Sequence, residues 1–139
     1  MAGYSGTPLI KKLGIKEGFR VAFVNAPRDF EEELGILPSK VRGLARPVSP
    51  MDFVLLFTKS AATLERDFRR IANLLAPTGM LWISWPKKTS GVLTDLSENS
   101  VRQIGLSAGL VDVKVCAVND VWSGLKFVYR LQDRPRLQK

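Results

Sequence analysis

An uninterrupted apolar run, Phe53-Val54-Leu55-Leu56-Phe57, and a second, Met80 to Trp85, broken only by Ser84, occupy the middle of the chain. Such runs mark strands covered on both faces, because a strand with one wet face alternates instead. Between them Leu64, Phe68, Ile71, Ala72 and Leu75 recur at helical spacing, with Glu65, Arg66, Arg69 and Arg70 on the opposite side. Ser60 is placed to cap this helix, and Pro77-Thr78-Gly79 ends it before the second run. A strand, a crossover helix and a second buried strand require a parallel sheet with helices on its faces.

The flanking segments extend this pattern. Thr7-Pro8-Leu9 opens a short helix with Thr7 as cap and Pro8 in the first position, and Gly14 closes it. Residues 19–25 read as a buried strand, and Arg28 to Leu34 as a helix stopped by Gly35. Ile36 to Pro50 carries Pro38, Gly43, Pro47 and Pro50, so it reads as loop with a short strand near Val41–Ala45. Ser97 to Ala108 form a helix with Val101, Ile104 and Ala108 inward and Gly109 as its stop. The pattern then changes. Val111, Val113, Val115 and Ala117 alternate with Asp112, Lys114 and Cys116. Leu125, Phe127, Tyr129 and Leu131 alternate in turn with Lys126, Val128 and Arg130. Two alternating strands across Asn119 to Gly124 predict an antiparallel hairpin.

The expected fold class is therefore α/β: a three-layer, Rossmann-like arrangement with a mostly parallel sheet ending in an antiparallel hairpin. One domain is expected over 1–139, with an N-terminal helix and lead-in over 1–18 and a frayed tail over 132–139. The 139 residues are enough for one core burying about two-thirds of the unfolded surface.

Composition removes several chemistries. Without a histidine, a His-based triad, a His-ligated metal and a His general base are impossible. Cys116 is the only cysteine, which excludes an intramolecular disulfide, and its mid-strand position suits a small core residue. No apolar run is long enough to span a bilayer. The opening Met1 to Gly6 lacks the charged and apolar regions of a signal peptide, so a cytoplasmic location and no membrane are expected. The net charge of +8 favours anionic partners as well as solubility. Lys11, Lys12, Lys16 and Arg20 cluster early, Arg130, Arg134, Arg136 and Lys139 late, and Asp29, Glu31, Glu32 and Glu33 form an acidic patch between them. No aromatic residues interleave the basic clusters as a base-stacking platform requires.

Ligands of open parallel sheets sit beyond the carboxyl ends of the strands. Those ends are Asn25 with Arg28 after it, Thr58-Lys59, and Trp85-Pro86-Lys87-Lys88, with Ser90 in the backbone turn that follows. An amide, several ammoniums and an indole there suit an anionic or planar ligand. The same residues suit a solvated loop at Lys87 and Lys88 and a core indole at Trp85. Trp122 and Ser123, at the hairpin turn, either cap the sheet edge or present a contact to a partner. Catalytic residues and metal ligands are not expected.

Leu74 to Ser84, Ser107-Ala108-Gly109-Leu110 and the closing hairpin resemble the class I S-adenosylmethionine methyltransferases, over about Asp52 to Leu131. The resemblance implies their sheet, whose last two strands form such a hairpin. The front half departs from that family in three respects. Its loop after the first strand is glycine-rich, whereas Asn25-Ala26-Pro27 has no glycine. The acid expected after the second strand is missing, since no Asp or Glu lies between Glu33 and Asp52. That segment is also too short for the family's usual strands and helices, so the fold is expected to be truncated in front.

Gly3 to Leu9, Trp85-Pro86-Lys87-Lys88 and Trp122 to Val128 are similar to signatures of a small bacterial family of unknown function. Three readings follow. The first is a non-catalytic, methyltransferase-like module that binds a small anionic ligand or a protein partner and needs no cofactor. The second is an S-adenosylmethionine-dependent methyltransferase with a rebuilt site. The third is association with nucleic acid through the basic surface. Self-association, giving a homo-oligomer through the Trp122 edge, is compatible with each.

Overall fold

A computed structural model of the chain describes residues 7–137, and side chains are described as far as 134. The chain order is α1 (Leu9–Leu13), β1 (Arg20–Val24), α2 (Phe30–Leu34), β2 (Arg42–Leu44), β3 (Met51–Phe57), α3 (Ala61–Ala72) and β4 (Leu75–Pro86). A 3-10 turn (Lys88–Ser90), α4 (Glu98–Ser107), β5 (Leu110–Ala117), β6 (Trp122–Tyr129) and a second 3-10 segment (Leu131–Leu137) complete it. The strands form one six-stranded sheet in the order β2-β1-β3-β4-β6-β5. β2, β1, β3 and β4 pair in parallel, and β6 and β5 add the antiparallel hairpin.

Alternation along the buried strands sends successive side chains to opposite layers. Val54, Leu56, Leu81, Ile83, Leu125 and Phe127 meet Leu64, Phe68 and Ile71 of α3 and Val101 of α4. Phe53, Leu55, Phe57 and Trp82 meet Leu13 of α1 and Phe30 and Leu34 of α2 on the other face. Layer contact is close at α4. A Cβ on Gly105 would collide with the Phe127 ring, which also stands edge-on to Phe68 at 5.2 Å. On the opposite face the fully buried Trp82 donates its indole N–H to the Leu13 carbonyl at 2.8 Å, tying α1 to the sheet.

Most expected elements are present, with local differences. α1 starts at Leu9 rather than Pro8: the Pro8 carbonyl accepts from the Lys11 and Lys12 amides, and Thr7 stands one residue outside the cap. Arg28 and Asp29 form a turn before α2, with the Phe30 amide bonded to the Pro27 carbonyl. β4 starts at Leu75, five positions before Met80. Met51 pairs with Leu75, and a bulge between Met51 and Phe53 absorbs Pro77-Thr78-Gly79, so that segment interrupts a strand instead of ending a helix.

The β5 valines are the clearest departure. A bulge between Asp112 and Lys114 breaks the alternation, and Val113 and Val115 are 53% and 50% exposed on the outermost strand. Leu131, placed on the inward face of β6, lies beyond the strand and is exposed. Beyond β6 the chain makes a 3-10 segment over Leu131–Leu137.

Candidate ligand-binding site

The strand order reverses between β1, which leads to β2 on one side, and β3 on the other. Such a switch point leaves a crevice at the carboxyl ends, because the crossovers from the two strands leave in opposite directions. A cleft of about 440 Å³ opens there, within the range used by small-molecule sites. Asn25 and Pro27 form one wall, Phe57 and Thr58 the floor, Ser60 and Thr63 the α3 wall, and Trp122 the hairpin side, with Lys59 beside them.

Asn25 is the informative wall residue. Its φ of 58° is left-handed, a conformation costly for most side chains and accessible to glycine and asparagine. The turn after β1 therefore keeps a glycine-like backbone without a glycine. Asn25 is exposed, so its amide faces the opening rather than the core.

Hydrogen bonds fix the opposite wall. The Thr58 amide donates to the Ser84 carbonyl at 2.9 Å, which holds the end of β3 against β4. The Ser60 amide donates to the Thr58 hydroxyl, which is bonded to the Ser60 carbonyl too, both at 3.4 Å. Ser60 caps α3 by accepting from the Thr63 amide, as the sequence predicts. The Ala61 amide donates to Asp95 at 2.8 Å, so the first donors of α3 are largely used by the chain itself. The wall offers hydroxyls and one ammonium, not an open helix end.

An aromatic row lies under the cleft. Phe23, Phe30, Phe57 and Trp122 stand edge-on in succession, with centroids 5.3, 5.0 and 5.1 Å apart. Asn119 accepts the Val121 and Trp122 amides at 2.9 Å each, setting where β6 begins and hence where the indole stands.

Of the residues expected to bind ligand or partner, Asn25, Thr58, Lys59 and Trp122 meet at this cleft. The other candidates do not line it. Arg28 is exposed in the turn before α2, and Trp85 is 5% exposed in the core beneath α3 and α4. Lys87 and Lys88 sit at the 3-10 turn, where the Ser90 hydroxyl donates to the Lys87 carbonyl at 2.6 Å and accepts from Val92. Ser123 accepts the Ser84 hydroxyl at its carbonyl, 2.8 Å away, inside the sheet. Trp122 is half-buried against Phe57 rather than standing on an open edge.

Pro27, Phe57, Ser60 and Thr63 were not among the expected residues. The usable signal for the last two was the cap itself: a helix starting directly after a strand turns its first residues into the crevice. The Cys116 thiol is half-buried, and burial pushes it above its ordinary value despite Lys12 and Lys114, which suits an unreactive thiol. Among the described residues no group of His, Cys, Asp and Glu could hold a metal ion, and no helix is long and apolar enough to cross a membrane.

No family model matches the chain, and no curated protein matches it. The signatures at Trp85–Lys88 and Trp122–Val128 thus gain no family assignment, and Gly3 to Gly6 lie outside the described residues. Solved structures do match. An S-adenosylmethionine-dependent methyltransferase from Aquifex aeolicus superposes with a TM-score of 0.60 at 16% identity, over 86% of this chain and 86% of its own. Magnesium protoporphyrin IX methyltransferase from Synechocystis PCC 6803, with bound S-adenosylhomocysteine, gives 0.58 at 11% identity over 88% of this chain and 78% of its own. The fibrillarin pre-rRNA processing protein of Methanococcus jannaschii gives 0.53 at 14% identity, over 91% and 70%. At these identities the likeness is one of fold, and the fold is the methyltransferase-like α/β sheet.

Proposed function

We propose that the switch-point cleft binds an adenosyl compound of the S-adenosylmethionine class through a rebuilt site. The observation that carries this reading is the left-handed Asn25 at the end of β1, standing on the wall of the cleft. It keeps the backbone shape of a cofactor turn where the glycines are gone. The lining fits such a ligand in kind. The Asn25 amide and the Thr58, Ser60 and Thr63 hydroxyls offer hydrogen bonds to a ribose diol, a task usually given to a carboxylate. Lys59 offers an ammonium to the amino-acid carboxylate, and Phe57 and Trp122 offer aromatic surface to the base.

S-adenosylmethionine, when bound, supplies an electrophilic methyl group. This chain's part is to bind and orient, because among the described residues no carboxylate, imidazole or phenol lines the cleft to take a proton from a methyl acceptor. The site therefore suits either an acceptor that needs no base or binding without transfer.

Thermal unfolding with and without millimolar S-adenosylhomocysteine, followed through Trp82, Trp85 and Trp122, tests the reading. A ligand at a hundred times its dissociation constant adds about 2.7 kcal/mol of stability. An upward shift that is lost in Lys59→Ala and Asn25→Val supports it, and no shift in the wild type rejects it. One observation favours the second reading, a non-catalytic module for a small anionic ligand: among the described residues, those lining the cleft include an ammonium and no carboxylate. That reading predicts stabilisation by simple dicarboxylates, again lost in Lys59→Ala.

A further inference from the structure

The hairpin carries a pair of like charges that nothing in the cleft explains. Lys114 of β5 and Lys126 of β6 are direct cross-strand partners. Like charges placed opposite each other destabilise a sheet, so a pair without counter-charge is conspicuous. Both side chains turn to the α1 face. The Lys114 ammonium donates to the Lys12 carbonyl at 2.8 Å, and a Cβ on Gly14 would lie 3.9 Å from the Lys126 ammonium. Lys12 joins them by donating its own ammonium to the Ala117 carbonyl at 3.2 Å, and Lys16 follows α1 on the exposed loop.

Among the described residues, none of these four lysines forms an ion pair, the salt bridges being those of Arg66, Arg70 and Arg102. Lys126 is half-buried, and its ammonium is held below the ordinary lysine value by burial first, then by Lys114 and Lys16. The sheet thus brings positive charge from α1, its following loop, β5 and β6 to one place and leaves it unneutralised. β5 is the outermost strand and Lys114 is exposed, so the approach is open.

We infer that Lys114 and Lys126, with Lys12 and Lys16 beside them, form a second binding site, on the α1 face of the hairpin, for a phosphate-bearing anion. Phosphate suits it because lysines bind phosphate as mobile point charges, and a doubly charged group placed between two ammoniums turns repulsion into attraction. The site is independent of the cleft, whose lining includes none of these lysines.

Thermal unfolding and fluorescence anisotropy of the full chain at low salt test this, with inorganic pyrophosphate and short labelled single-stranded and duplex oligonucleotides as probes. Pyrophosphate should raise the Tm of the wild type, and Lys114→Gln and Lys126→Gln should each remove most of the rise. Lys59→Gln should leave the rise intact, which separates this site from the cleft. If the phosphate belongs to nucleic acid, oligonucleotides bind as well, and each lysine removed lowers the log–log salt slope by about one. If it belongs to a small molecule, pyrophosphate binds and oligonucleotides do not. Lys114 is exposed, so its glutamine variant keeps the test valid even if Lys126→Gln fails to fold. The inference is overturned if neither probe binds the wild type, or if Lys114→Gln binds both probes as the wild type does.

Discussion

From β3 onward the strands run seven, twelve, eight and eight residues, whereas β1 and β2 run five and three. The helices divide in the same way, with twelve and ten residues in α3 and α4 against five each in α1 and α2. Helices of five residues have no stability of their own in water. α1 and α2 exist because the back half holds them, through Trp82 on the Leu13 carbonyl and Phe57 against Phe30. The back half carries the long elements of the sheet and its helices, and the front half is reduced to a cover for the aromatic face and one wall of the cleft. The Asn25 turn is what this reduced half contributes to binding.

The largest expected effect lies at the centre of the back half. Phe127 is fully buried, packs on Gly105 and stands edge-on to Phe68. Phe127→Ala should cost about 3–5 kcal/mol by urea denaturation, as deep aromatic truncations do. A loss below about 1 kcal/mol would erase the distinction between the halves. Trp82→Phe probes their connection. It keeps most of the ring but leaves the buried Leu13 carbonyl without its donor, costing about 1–3 kcal/mol. Amide exchange sharpens the result, since α1 should lose protection before α3 does.

That division decides what was legible in the sequence. The buried runs of β3 and β4, the α3 stripe and the hairpin could be read because burial on this scale imposes periodicity. The start of β4 was not legible: Pro77-Thr78-Gly79 is breaker chemistry, and only pairing with Met51 makes it a bulge. Exposure of the β5 valines was hidden for a similar reason, because alternation reports a strand but not which layer covers it. At the site, sequence placed Asn25, Thr58 and Lys59 correctly at strand ends, while Trp85 and Ser90 looked equally placed. Trp85 goes to the core by alternation with Trp82 and Ile83, and Ser90 spends its hydroxyl on its own turn. The left-handed φ of Asn25 is invisible to any reading that searches only for glycine.

Asn25 gives an effect of intermediate size, confined to the front half. Asn25→Gly should fold as well as the wild type, since glycine adopts φ 58° freely. Asn25→Val forces a β-branched side chain into that conformation and should cost roughly 1–2 kcal/mol. If the turn serves the cleft, Gly keeps the shape but loses the amide, so S-adenosylhomocysteine binding should weaken in both variants while stability falls in only one. Equal stability of the two would show that the left-handed turn is not imposed by the fold.

The smallest effect is a pH dependence that separates the hairpin lysines from the rest of the back half. Lys126 titrates below its ordinary value of 10.5, through burial and then Lys114 and Lys16. In the window between its folded value and 10.5 the unfolded chain binds more protons, so this residue makes stability rise with pH there. Two neighbours oppose it. Burial raises the Cys116 thiol above 9.0 and the Tyr129 phenol above 10.0, so the unfolded chain ionises first at both and their contributions fall as pH increases. The Lys126 effect must therefore be read as a difference. In phosphate-free buffer Lys126→Met should be more stable than the wild type at neutral pH, where the burdened ammonium is charged. The gap should close as pH climbs toward 10.5, while Cys116 and Tyr129 cancel between the two proteins. A gap constant across that range would mean the Lys126 ammonium is solvated as freely as a surface lysine, with no penalty from burial or from Lys114 and Lys16.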